Sequence, residues 1–133
     1  MHILQLLPEL KFGGVERGTV DLSEHLTKLG HQSAVVSAGG GLTEQLSDHG
    51  AKHFSLPIAK KNFLAIQQYK NLRDIYREFK PDILHVRSRF PAWINVLALK
   101  GLSSSKPIII STFHGLYSKP FYSKSMSYAD DII

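Results

Sequence analysis

The chain has 133 residues, enough for one compact domain and too few for a two-domain enzyme. Its 16 Lys and Arg exceed 11 Asp and Glu by a net charge of +5, which favours an anionic partner (nucleic acid, a phosphorylated small molecule or an anionic membrane surface) without choosing among them. With no cysteine, disulfides and cysteine zinc sites are excluded, and an apolar fraction of 43% is that of a globular protein with a real core.

Ile3 to Leu7 reads as an apolar strand of the kind that parallel sheets cover on both faces. Val15, Thr19, Leu22, Leu26 and Leu29 recur at helical spacing, and Gly30 stands where a C-terminal cap belongs. Gln32 to Ser37 is a second strand, broken by Gly39-Gly40-Gly41. Leu42 to His49 reads as a short helix closed by Gly50, and Lys52 to Leu56 as a third strand. Ala65, Tyr69, Leu72, Tyr76 and Phe79 trace one more helix, stopped at Lys80-Pro81 because proline cannot continue the hydrogen-bond ladder. Asp82 to Val86 is the fourth strand. Pro91 suits the first turn of a helix running to Lys100, apolar nearly all round and so expected to be deeply buried. After the Ser103-Ser104-Ser105 loop, Pro107 opens a fifth strand, Ile108 to Thr112. Asp131-Ile132-Ile133 looks like the start of a sixth, which points to a longer protein.

Alternation of strand and helix predicts an α/β fold: a doubly wound parallel sheet, with strand order 3-2-1-4-5. No segment reaches the roughly 20 apolar residues of a membrane span, and the first residues lack a basic leader and cleavage site, so a protein that is soluble or attached to a membrane face is expected.

Ligands of such sheets bind beyond the carboxyl ends of the strands. There the sequence places Gly13-Gly14 with Glu16 after strand one, Gly39 to Gly41 after strand two, Arg87 and Arg89 after strand four, and His114-Gly115 after strand five. Two glycines opening a helix let phosphate or sugar oxygens reach free backbone N–H groups at its positive end, although a plain tight turn has the same composition. Arg87 and Arg89 suit a phosphate or carboxylate, or simply solvent. Gly39 to Gly41 reads better as a turn than as a ligand contact, His85 as a core residue, and Glu16 as a complement to the helix dipole. Lys70, Arg73, Arg77 and Lys80 form a basic helix stripe, by default a solvated face, with membrane contact as the other reading. Dinucleotide binding is disfavoured, because Gly13, Gly14 and Gly18 do not make G-x-G-x-x-G and strand two ends in Ser37-Ala38, with no acidic residue for a ribose.

Taken in order, Leu6-Leu7-Pro8-Glu9 through Gly13-Gly14-Val15-Glu16-Arg17, Asp82 to Arg89 with Pro91-Ala92-Trp93, Thr112 to Tyr117, and Tyr128 to Ile133 resemble the family-four (group one) glycosyltransferases, in a bacterial branch of that family. The resemblance implies a GT-B fold, two Rossmann-like domains facing across a cleft. Residues 1–133 would be part of the N-terminal, acceptor-side domain, without the C-terminal nucleotide-sugar domain. It implies a retaining transferase moving a sugar from a nucleotide-sugar to an envelope glycan or lipid-linked acceptor, of the kind used in lipopolysaccharide biosynthesis. No metal and no cofactor are implied, and no nucleic acid partner. Gly13 and Gly14 would hold the donor diphosphate, His114 would be the catalytic residue beside the transferred sugar, and Arg87 and Arg89 would meet the acceptor. A cytoplasmic location is expected, with peripheral contact at the inner face of the membrane, and the chain alone is expected to be inactive. The rival readings are a non-catalytic Rossmann-like binding module and a fragment of a GT-B sugar-nucleotide epimerase.

Overall fold

The computed structural model describes residues 1–103, 105–114 and 124–133. Six strands, β1 (His2–Leu6), β2 (Gln32–Ser37), β3 (Lys52–Ser55), β4 (Ile83–Val86), β5 (Ile108–Ser111) and β6 (Asp131–Ile132), form one sheet in the order β3-β2-β1-β4-β5-β6. Every pairing is parallel. The expected order therefore holds, and the strand begun at Asp131 adds a sixth member beside β5. Strand ends differ from expectation by a residue or so: β1 runs from His2 to Leu6, and β5 stops at Ser111.

The helices are α1 (Gly14–Lys28), α2 (Thr43–Asp48), α3 (Phe63–Ile66), α4 (Tyr69–Phe79) and α5 (Arg89–Lys100), followed by a 3-10 helix, Lys124–Tyr128. Charge matches the dipole of α1, with Glu16 in its first turn and His25 and Lys28 in its last. Gly30 leaves the helix at φ 86°. At the end of α4 the same left-handed geometry falls on Lys80 (φ 52°), where a side chain costs roughly 1 kcal/mol, and Pro81 then prevents any continuation.

Where a single helix was expected over 65–79 there are two. Asn62 caps α3 by accepting from the Ala65 N–H at 2.8 Å, and α4 starts afresh at Tyr69. Only Ala65 of α3 is buried, so its apolar residues do not continue the inward stripe of Leu72, Ile75, Tyr76 and Phe79.

Side-chain alternation sorts the sheet into two faces. Leu4, Leu6, Ala34, Val36, Leu84 and Val86 pack against α4 and α5, whereas Val35 joins Val20, Leu42, Leu46 and Ala51 under α1 and α2. Tyr76 is wholly buried between the helices and donates to Asn95 Oδ1 at 2.6 Å. The α5 helix is buried over one broad side only, since Trp93, Val96 and Leu97 keep partial exposure, and Trp93 meets the Tyr128 ring edge-on at 6.3 Å. Its C-terminal carbonyls receive Arg73, whose Nε donates to Ala98 O at 3.0 Å and Nη2 to Leu97 O at 3.1 Å, with the guanidinium lying against Gly101. The expected basic stripe is thus not a uniform solvated face: Arg73 seals the α4–α5 seam, Arg77 pairs with Asp74 at 3.0 Å, and Lys80 is the helix cap.

Candidate functional site

The turn after β1 leads directly into the N-terminus of α1. Gly13 caps α1 with φ −109° and ψ 172°, an extended conformation open to any residue, and no side chain hydrogen-bonds to the cap. A Cβ on Gly14 would meet nothing within 4 Å, so neither backbone strain nor packing demands glycine there. What glycine provides at Gly14 is clearance at the N-terminus of a helix whose first N–H groups lack intrahelical partners. The Glu16 carboxylate folds back over Gly13.

The glycines after β2 have another use, as the sequence suggested. Gly40 sits at φ 155°, and a Cβ there would strike the backbone of Leu10. That closeness lets Leu10 N–H donate to Gly39 O and Leu42 N–H donate to Leu10 O, each at 2.9 Å. This run ties two loops together.

At the end of β4, alternation turns His85 and Arg87 to the same side of the sheet as Gln5 of β1, opposite Leu84 and Val86. His85 shares a hydrogen bond of 2.5 Å with Thr112 Oγ1 just past β5. Burial first, then the charges of Arg87 and His114, hold its imidazole down at about 4, so it is neutral at physiological pH. Its burial matches the core residue expected here. Arg87 turns toward α1 and donates from Nη1 to Gln5 Oε1 at 2.9 Å. Among the described residues no carboxylate lies within ion-pair distance of it, and its Nε is buried without a partner.

His114 is exposed at the end of the described segment after β5. Burial and the Arg87 charge lower its pKa, against an opposing pull from Glu16. His114 thus feels the loop after β1 and the end of β4 at once. Gly115, Leu116 and Tyr117, the remainder of the expected histidine loop, lie outside the described residues. Arg89 opens α5, and its carbonyl accepts from Ser125 Oγ at 2.9 Å.

Glycine turn, Arg87 and His114 therefore share the carboxyl edge. A concavity of about 570 Å³ at the opposite edge, lined by His2, His31, Lys52, Glu78 and Phe79, contains none of them. Sequence reading missed two members of the constellation. Gln5, wholly buried, interrupts the apolar run of β1, and that interruption was the available signal. Gly18 leaves room for the guanidinium: a Cβ there would come within 3.3 Å of Arg87 Nη2. No group of three or more His, Asp or Glu among the described residues is placed to hold a metal ion.

Comparison with known proteins gives this edge a context. The family model described as Glycosyltransferase Family 4 matches residues 12–131. Among solved structures, a glycosyltransferase from Rickettsia africae ESF-5 is 38% identical with a TM-score of 0.75, over 90% of this chain and 31% of that one. MurG from Acinetobacter baumannii (13% identity, TM-score 0.73, 98% of this chain and 40% of that one) shares the fold. So does a putative UDP-N-acetylglucosamine 2-epimerase from Listeria monocytogenes (10%, TM-score 0.64, 99% and 38%). No curated protein sequence matches the chain. The chain spans 31–40% of the length of these structures.

Proposed function

The chain belongs to Glycosyltransferase Family 4, and from that premise we propose that it is the acceptor-side, N-terminal half of a two-domain GT-B transferase that moves a sugar, with retention, from a nucleotide-sugar to an envelope glycan or lipid-linked acceptor. The observation that carries this reading is the meeting of three strand ends: the Gly13-Gly14 turn, Arg87 and His114 at one edge of the sheet. In this mechanism the backbone N–H groups at Gly13 and Gly14, at the positive end of α1, bind the donor diphosphate and stabilise the charge it gains as the bond from the anomeric carbon to phosphate breaks. The acceptor hydroxyl forms the new bond to that carbon and passes its proton to the departing phosphate. His114 serves as a neutral hydrogen-bond partner beside the sugar, consistent with its lowered pKa. Arg87 and Arg89 face the anionic part of the acceptor. Neither metal nor cofactor enters these steps.

No helix among the described residues is long and apolar enough to cross a membrane. Peripheral contact at the cytoplasmic face fits another part of the chain better than the α4 stripe. Phe63 and Leu64 of α3 are 72% and 70% exposed, one residue past Lys60-Lys61, in a stretch without Asp or Glu from His49 to Arg73.

The test is titration calorimetry of the chain alone with UDP- and GDP-sugars, beside a transfer assay on the full-length protein. The chain alone gives very weak binding or none, and the full-length protein transfers sugar. Micromolar binding by the chain, worth about −8 kcal/mol, overturns the half-site reading. Epimerisation of the donor, or no reaction at all in the longer protein, overturns the transferase.

A further inference from the structure

Gln5 is a carboxamide at the centre of the sheet, between Val35 of β2 and His85 of β4, with 0% exposure. Each of its polar atoms has a partner. Nε2 donates to Thr19 O at 3.0 Å and to Ser23 Oγ at 2.9 Å, both on α1. Oε1 accepts from Arg87 Nη1 at 2.9 Å. Arginine only donates, so the amide has one workable orientation, with its oxygen to the guanidinium. Gly18 opens the space in which Nη2 lies.

A buried arginine is usually satisfied by a carboxylate. This one, partly buried, is anchored by a neutral group of the same shape, against the second turn of α1 at Gly18, with its Nε buried and unpartnered. A glutamate at position 5 would offer the same oxygen and cancel the charge. We propose that Gln5 is a positioning residue that fixes the Arg87 guanidinium at the carboxyl edge as an uncancelled positive charge, whose ligand is a phosphate group. The proposal rests on the transferase reading for the two sources of that phosphate, the donor diphosphate and a phosphorylated acceptor.

The histidines report on this charge. The groups whose charges act on His114 are Arg87 and Glu16, and those acting on His85 are Arg87 and His114. The experiment follows the imidazole signals of His85 and His114 by NMR against pH, and then against inorganic pyrophosphate and glycerol 3-phosphate, in the unaltered chain and in Gln5→Glu. The unaltered chain responds to at least one phosphate: pyrophosphate identifies the donor diphosphate as the source, glycerol 3-phosphate a phosphorylated acceptor. Gln5→Glu raises both histidine midpoints and weakens phosphate binding about ten-fold, the loss of one charge-assisted contact. Midpoints and affinity both unmoved in a folded Gln5→Glu protein overturn the proposal. Absence of any phosphate response in the unaltered chain overturns it as well. Should Gln5→Glu not fold, Arg87→Gln removes the same charge from the strand end and must produce the same two changes. No sugar transfer is measured, so failure here leaves the transferase standing, and failure of the transfer assay leaves the charge measurement intact.

Discussion

Arg73 and Arg87 are both partly buried, and each guanidinium lies against a glycine, Gly101 for one and Gly18 for the other. One meets the last turn of a helix and the other a helix's second turn. Arg73 reaches the last carbonyls of α5, where the dipole is negative and the oxygens need donors, so both of its contacts lower the energy of the fold. Arg87 lies over the second turn of α1, at Gly18, with a neutral amide for an anchor. Local electrostatics favour the first arrangement, and among the described residues no carboxylate compensates the second. One residue type beside one kind of small neighbour thus serves in one place as a helix-end contact that stabilises the fold and in the other as the charge that the proposed site would use.

The largest effect expected from this difference is catalytic. In the full-length enzyme His114→Ala lowers turnover roughly ten- to a thousand-fold, about 1.4–4 kcal/mol of transition-state stabilisation, while donor affinity changes much less. Steady-state kinetics measure both, and unchanged turnover in a folded variant would detach the end of β5 from the site. Next is acid sensitivity. His85 is held at about 4 in the folded chain against an ordinary 6.5, so the unfolded chain binds the extra proton between those values. Its contribution is complete above about pH 6.5 and is lost as pH falls toward 4, by roughly 3 kcal/mol. His53 and His114, also lowered, act with the same sign. Urea denaturation at pH 7, 5.5 and 4 reads this slope, and it should flatten in His85→Gln; equal slopes would remove His85 as its source. The smallest effect bears on the two arginines directly. Arg73→Ala costs about 2 kcal/mol of stability, two charged hydrogen bonds discounted for partial exposure, whereas Arg87→Ala costs clearly less. Equal losses in urea midpoint would erase the distinction.

Much of this architecture was legible in the residues. Strand and helix alternate with the right periods, Gly30 and Lys80-Pro81 mark helix ends, and the strand order follows from doubly wound topology. That the glycine turn, Arg87 and His114 fall at one edge was legible because the loops after parallel strands share that edge. Three things were not. The break between α3 and α4 leaves no gap in the hydrophobic period, since Phe63, Leu64 and Ile66 look like core residues and lie at the surface. The structural use of Arg73 depends on where α5 ends in space, which spacing along α4 does not encode. Gln5 stood in plain view, yet its meaning needed its partner, a residue 82 positions away.

That separation also sets a clock. β1 pairs with β2 on one side and with β4 on the other, Ile3 facing Ser33 and Ile83 in turn. During synthesis, at roughly 5–20 residues per second, the 82 positions from Gln5 to Arg87 take about 4–16 s to appear. Throughout that interval the second edge of β1 waits for its neighbour, and the Gln5 oxygen for its donor. The insertion of β4 ends both waits in one event. The same step that closes the middle of the sheet therefore delivers the arginine to the carboxyl edge, and the site matures as the fold does.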